Sequence, residues 1–260
     1  MQFDAEAADF EASLAEPWNR LKYELALENL LEHLSGLEES SAGESLRVLD
    51  AGGGTGEFGL RLAQRGHALT LLDPSAAMLA IARDKAARTG VAGRCRFLQA
   101  GVEALPGALG GERCDVVLCH NVLEYVDDPA AVVRRLGATL RPGGLLSLVA
   151  MNSYALPLRS LLQRGEPEEA LTTLGRREFT NRFGITARTF EPAALVALVR
   201  DAGLALAAWY GLRMFYDYTA DPRKTEPRYY DAVKRLETAA RATDPYRQIG
   251  RDTQLLARRA

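Results

Sequence analysis

Four clusters in this 260-residue chain carry groups that could do chemistry at the ends of apolar runs. The first is Asp50-Ala51-Gly52-Gly53-Gly54-Thr55-Gly56, directly after the apolar Leu46-Arg47-Val48-Leu49. Glycine backbone lets a ligand approach closely because no Cβ intervenes. The carboxylate of Asp50 suits the cationic part of a ligand better than a pyrophosphate. The second is Asp73, after Leu71-Leu72, where an acidic side chain can accept hydrogen bonds from two ribose hydroxyls. A helix N-cap is the plainer role for Asp73, but Ser75 already fills it. The third is Gly101-Val102-Glu103, where backbone and an acidic side chain can meet an adenine edge. The fourth is His120-Asn121-Val122-Leu123-Glu124; a lone histidine at a strand end is more often structural, and only the constellation around His120 raises it above that.

Gly54-Thr55-Gly56-Glu57-Phe58-Gly59 spells a dinucleotide fingerprint, yet Gly52 and Gly53 come before it and Asp50 would repel a pyrophosphate. These features point away from a nicotinamide cofactor.

The elements that must position these groups alternate. Helical spacing of leucines predicts a helix over 18–38, and a polar linker follows over 38–45. Strands are predicted over 46–51, 68–72, 95–99, 114–120 and 145–151, with helices over 57–65, 75–89 and 129–140 between them. Gly66 and Gly90 close two of those helices, Pro129 opens the third, and the turn Arg141-Pro142-Gly143-Gly144 precedes the fifth strand. The strands read as continuous apolar runs, so a parallel sheet covered by helices on both faces is expected. The pattern breaks over 152–190, an arginine-containing insertion of short helices and loop. A helix over 192–202, a strand over 204–218 ending in aromatic residues, a helix over 228–241 and a strand over 253–257 follow.

Composition bounds the function. The chain is 47% hydrophobic and 25% charged with net charge −2, so no global basic field announces nucleic acid, although a local patch is compatible. Cys95, Cys114 and Cys119 form no CxxC pair, which excludes a zinc or thioredoxin-type motif; no metal site is expected. The acidic start, with no signal-peptide pattern, and the lack of a membrane-length apolar run give a cytoplasmic expectation with no membrane partner. Oligomeric state is not legible.

VLDAGGGTG, Asp73, HNVLEYVDDP and LRPGGLLSLV together resemble the class I S-adenosylmethionine-dependent methyltransferases. The resemblance implies an α/β, Rossmann-like, seven-stranded and mostly parallel sheet with helices on both faces and an antiparallel last strand. It implies S-adenosyl-L-methionine as cofactor and a single domain over 1–260: an N-terminal helical extension (1–45), a cofactor core (46–151), an insertion (152–190) and a C-terminal part with substrate-facing segments (191–260).

A narrower likeness lies outside that core. Gly211-Leu212-Arg213-Met214-Phe215-Tyr216-Asp217-Tyr218, Leu236-Glu237 and Asp244-Pro245-Tyr246-x-x-Ile249-Gly250-Arg251 are similar to the bacterial tRNA 5-carboxymethoxyuridine methyltransferases, which esterify a wobble-uridine carboxylate. This implies cofactor contacts at Gly52, Gly53, Asp73, Val102 and His120, and at Lys22, where the family has arginine. The family's dense basic run corresponds here to the moderately basic 175–184, a difference that bears on nucleic-acid affinity rather than on methyl transfer.

A carboxylate acceptor is already ionised at neutral pH and needs no base, only a cation to orient it. No catalytic dyad is evident, and none is assigned. Arg213 is the expected orienting cation; Tyr216, Tyr218, Tyr246 and Arg251 are the expected base- or phosphate-binding residues. Against this stands a small-molecule O- or N-methyltransferase, with the insertion as a lid and Glu124 or Asp217 as base. A third reading is a cofactor-binding protein without catalysis. A basic concave face favours tRNA, an enclosed apolar pocket a small molecule, and a blocked path to the cofactor methyl the third.

Overall fold

Apolar runs without alternation become strands covered on both faces. The computed structural model describes residues 4–40, 43–181 and 184–260. Met1–Phe3, Ser41 and Ala42 of the linker, and Arg182 and Phe183 of the insertion lie outside the described residues. α1 (Ala7–Ser13) and α2 (Pro17–Ser40) precede β1 (Arg47–Ala51). Then come α3 (Gly59–Gln64), β2 (Ala68–Asp73), α4 (Ala76–Arg88), β3 (Cys95–Gln99), β4 (Cys114–His120), α5 (Pro129–Thr139) and β5 (Leu140–Met151). The insertion holds α6 (Ala155–Leu158), a π-helical turn over Arg159–Gln163, α7 (Pro167–Thr173) and the hairpin of β6 (Glu178–Thr180) and β7 (Thr186–Arg188). α8 (Pro192–Asp201), β8 (Leu204–Leu212), α9 (Pro227–Ala240) and β9 (Asp252–Arg259) follow.

Among the described residues the main sheet has seven strands in the order β3-β2-β1-β4-β5-β9-β8. β1 to β5 run parallel, and β9 is antiparallel to both β5 and β8. This is the expected fold class. Successive side chains point to opposite faces of a strand. Val48, Val116 and Leu118 therefore join the core under α2, α3 and α4, while Leu49, Val117 and Cys119 join the core under α5 and α8. Ser75 caps α4 by accepting from the Met78 N–H at 3.2 Å, and Asp128 caps α5, as their positions before the helices suggest.

The departures are local. α3 starts at Gly59 rather than 57, because positive φ at Gly52, Gly54 and Gly56 keeps the chain in a loop. The Arg141–Gly144 turn is absorbed into β5, whose Leu140 already pairs with Cys114. β8 ends at Leu212 because Arg213 adopts φ 60, and Tyr216–Tyr218 is a separate 3-10 turn. α1 and the β6–β7 hairpin are too short to show a period in the sequence. No helix among the described residues is long and apolar enough to cross a membrane.

Candidate active site

Strand order reverses between β1 and β4, which leaves a crevice at the carboxyl ends of the strands. A single cleft of about 1220 Å³ opens there, with α1 and α2 on one side and the insertion on the other.

Its floor is the glycine loop. The N–H groups of Gly52 and Gly53 donate to the Leu72 carbonyl at 2.7 and 3.2 Å, binding the loop to β2. A Cβ on Gly52 would lie 2.5 Å from Val122 Cγ2, and one on Gly53 would lie 2.7 Å from Asp50 Cγ. A side chain at either position would therefore collide with Val122 or Asp50, so both must be glycine for the loop to keep its shape at the cleft. Asp50 is 3% exposed, and its Oδ2 accepts from the Gly59 N–H at 3.0 Å, joining β1 to the start of α3. Asp73 accepts from the Gly54 N–H at 2.9 Å and the Ser75 N–H at 2.8 Å, one bond to each oxygen. Val102 is buried in a single turn and also lines the cleft.

The end of β4 is held by residues distant in sequence. Lys22 Nζ on α2 donates to Asn121 Oδ1 at 3.1 Å, and Asn121 Nδ2 donates to Glu124 Oε1 at 3.0 Å and Asp252 Oδ1 at 3.1 Å. Burial lowers the Lys22 pKa, opposed by Asp252. His120 Nε2 hydrogen-bonds Ser147 Oγ at 2.8 Å, and the ring lies edge-on to Phe58. Burial, then Lys22, pushes His120 down to about 3, so the imidazole is neutral at physiological pH. Its Nδ1 is buried with no hydrogen-bond partner among the described residues.

The other half of the cleft is cationic. Arg159, Arg213 and Arg251 line it, together with Trp18, Phe179 and Tyr216. Arg213 is 6% exposed. Its Nε donates to Asp217 Oδ1 at 2.9 Å, its Nη2 pairs with Asp217 Oδ2, and its Nη1 lies 3.7 Å from Asp252 Oδ2. Burial opposes this charge, but Asp217 and Asp252 outweigh it and raise the pKa. The turn carrying Arg213 is fixed by Glu237, fully buried, which accepts the N–H groups of Met214, Phe215 and Tyr216 at 2.8 to 2.9 Å.

A methyltransferase-domain family model matches residues 48–144. The tRNA 5-carboxymethoxyuridine methyltransferase of Escherichia coli K12 is 32% identical over 223 residues, covering 83% of this chain and 81% of that protein. The chain belongs to the S-adenosylmethionine-dependent methyltransferases. A ubiquinone biosynthesis O-methyltransferase of Azotobacter vinelandii is 33% identical over 209 residues, 80% of this chain and 86% of that protein. The names of the two relatives share methyl transfer and differ in the acceptor. The fold also matches a SAM-dependent methyltransferase of Thermotoga maritima, with TM-score 0.63, 18% identity, and coverage of 100% of this chain and 98% of that one.

The residues of this methyltransferase fit its cofactor. Asp73 keeps acceptor lone pairs beyond its two backbone bonds, suited to a ribose diol. Lys22 offers a cation, and His120 Nδ1 is an open hydrogen-bonding position. Small-molecule pockets commonly span ~300–1,000 Å³, so the cleft leaves room for an acceptor beside the cofactor. All six residues expected to touch the cofactor, Lys22, Gly52, Gly53, Asp73, Val102 and His120, line it.

The five expected acceptor residues divide. Arg213, Tyr216 and Arg251 line the cleft. Tyr218 does not; its hydroxyl donates to the Ile249 carbonyl at 3.1 Å. Tyr246 is 45% exposed outside the cleft, tilted against Phe215. Glu124 is also off the cleft wall, 3% exposed, and accepts from the Met151 N–H at 2.8 Å. Arg159, Trp18, Asn121 and Phe179 were given no role by the sequence; the packing of α2, the π-helical turn and the hairpin brings them in.

Asp50 gives a pH-dependent expectation. Burial, opposed by the Gly59 N–H and reinforced by Asp73, pushes it up to about 7 from its ordinary 3.8. Between those values the folded state keeps a proton that the unfolded state has lost. Its contribution to stability is thus fully present at low pH and disappears as pH rises through 7. Thermal unfolding of wild type and Asp50→Asn should show wild type losing about 3 kcal/mol relative to the variant between pH 4.5 and 7.5. Parallel stability–pH curves would refute it.

Proposed function

We propose that this methyltransferase converts the carboxylate of 5-carboxymethoxyuridine at the tRNA wobble position to its methyl ester. The observation that carries the reading is the acceptor half of the cleft, where Arg159, Arg213 and Arg251 stand together and the two carboxylates beside Arg213 are engaged. Asp217 is taken by Arg213, and Asp252 accepts from Asn121 while facing Arg213. Such a wall suits an acceptor that is already an anion. The similarity to the Escherichia coli tRNA enzyme supports the same acceptor. Arg176, exposed on the cleft rim, suits a phosphate of the surrounding nucleic acid.

When bound, the cofactor would supply an electrophilic methyl on a sulfonium for transfer to a carboxylate oxygen, giving a neutral ester and a thioether with no proton to move. The chain's part is alignment. Lys22, Asp73 and the loop at Gly52 and Gly53 hold the donor. Phe179 on the cleft wall suits stacking of a flipped-out base. Neutral His120 has no proton-relay duty here.

The test is incubation with methyl-labelled cofactor and two separate pools, one of tRNA containing 5-carboxymethoxyuridine and one of phenolic quinone precursors. Label is expected in a base-labile ester of the wobble nucleoside. Label confined to the phenols would overturn the proposal and make the O-methyltransferase likeness the functional one.

A further inference from the structure

We propose that Arg159 and Arg251 together seat the acceptor's carboxylate, and that the Arg213–Asp217 turn is the strut that holds both in place. This rests on the carboxyl-methylation reading above and assigns that role to a pair of side chains, one of them from the insertion.

Arg159, Arg213 and Arg251 of the cleft lining are not equivalent. Arg213 has its fork engaged by Asp217, with Asp252 behind it. Arg251 is 8% exposed, and its Nη1 is buried with no hydrogen-bond partner among the described residues. The side chain has no ion pair among them; its guanidinium lies 5.4 Å from the Phe179 ring centroid. Arg159 spends only Nε, which donates to Gln163 Oε1 at 3.2 Å, and it likewise has no ion pair among the described residues. A buried guanidinium nitrogen without an acceptor is costly, and an anionic ligand removes that cost.

One turn positions both groups. The Arg213 carbonyl accepts from the Arg251 N–H at 3.3 Å. The Asp217 carbonyl accepts from Gln163 Nε2 at 2.5 Å, and Gln163 in turn holds Arg159. The topology makes this meeting possible: β9 is antiparallel, so Arg251, just before its first residue, stands at the carboxyl end of β5. Arg159 opens the π-helical turn, a geometry that recurs at functional sites.

Electrostatics agree. Burial, and then Arg251, pushes Arg159 down to about 10, with Asp217 opposing. Burial also lowers Arg251, and Arg213 adds to the effect against Asp252. An anion between the two guanidiniums would relieve both. Each fork can engage a carboxylate through paired N–H donors. Methylation removes the charge that the pair recognises, so the ester should bind more weakly than the acid.

The test measures binding of free 5-carboxymethoxyuridine and of uncharged 5-methoxyuridine to protein saturated with S-adenosylhomocysteine, for wild type, Arg159→Ala, Arg251→Ala and Arg251→Lys. Wild type should prefer the acid by ~10-fold or more, and either alanine variant should lose that preference while 5-methoxyuridine and cofactor affinities stay within ~2-fold. Arg251→Lys should recover part of it, since charge returns without the fork. Arg159 is partly exposed on a turn, so its variant tests the pair even if Arg251→Ala does not fold. Equal loss for both nucleosides, or an acid preference that survives in the variants, overturns the pair. Label transfer to tRNA by wild type is scored separately. Transfer without acid preference removes the pair and keeps the function; acid preference lost in the variants without tRNA transfer keeps the pair and removes the tRNA reading.

Discussion

Arg213→Ala should lower the thermal midpoint by about 10 °C and abolish most methyl transfer as a consequence. The arginine is 6% exposed and its fork is matched to Asp217, which is 5% exposed. Truncating it leaves a buried carboxylate with no cation, a change that commonly costs about 3–5 kcal/mol. At this size each kcal/mol moves the midpoint by roughly 2–4 °C. Asp217 also receives Gln163 on its carbonyl, and Arg213 receives the Arg251 N–H on its own, so disorder would spread to both neighbours. Calorimetry on the single variant and on Arg213→Met/Asp217→Leu separates the roles. Removing both charges should recover much of the lost stability, as replacing buried ion pairs often does. A variant with wild-type stability and no turnover would instead return Arg213 to direct contact with the acceptor.

The second large effect is expected at Asp73. Asp73→Ala should weaken S-adenosylhomocysteine binding more than ~100-fold, since it removes the ribose acceptor and frees two N–H groups of the site at once. Those groups belong to Gly54 on the loop and Ser75 at the start of α4, so the variant also loses the brace between them. Burial raises the Asp73 pKa while the Ser75 and Gly54 N–H groups oppose it; a partner donating from the cofactor would oppose it further. Isothermal titration is the check. The ligand-induced rise in thermal midpoint should shrink in parallel. Retained micromolar affinity in Asp73→Ala would place the ribose elsewhere.

Much of the scaffold was legible because its signals are local. Leu49, Val117 and Leu146 sit in apolar runs that only a sheet covered on both faces can bury, and each has 0% exposure. Ser75 announces a helix start by chemistry that acts within three residues, and Pro129 opens another. The acidic residue ending β2 and the glycine run ending β1 pointed to one crevice, since parallel strands share their carboxyl ends. Less was legible where the partner is remote. Asp50 read as a carboxylate facing a ligand; it does reach the cleft wall, but the structure adds a bond from the Gly59 N–H and burial that pushes its pKa up to about 7. Gly52 and Gly53 read as room for a ligand; they line the cleft, and the structure adds that Val122, Asp50 and Leu71 also leave no space for a side chain there.

By itself the sequence determined the class of machine: strand–helix alternation, a nucleoside-binding loop with a carboxylate before it, and a C-terminal third with an unusual aromatic and arginine content. Tertiary structure decided which charges are free to act. Arg213 and Asp217 lie four residues apart, and Arg159 and Arg251 are separated by more than a third of the chain, yet one turn sets them all. Periodicity and capping act over a few residues and are written in their order. The availability of a charge depends on every group that surrounds it in space, and here those groups come from α2, the insertion and the antiparallel strand together.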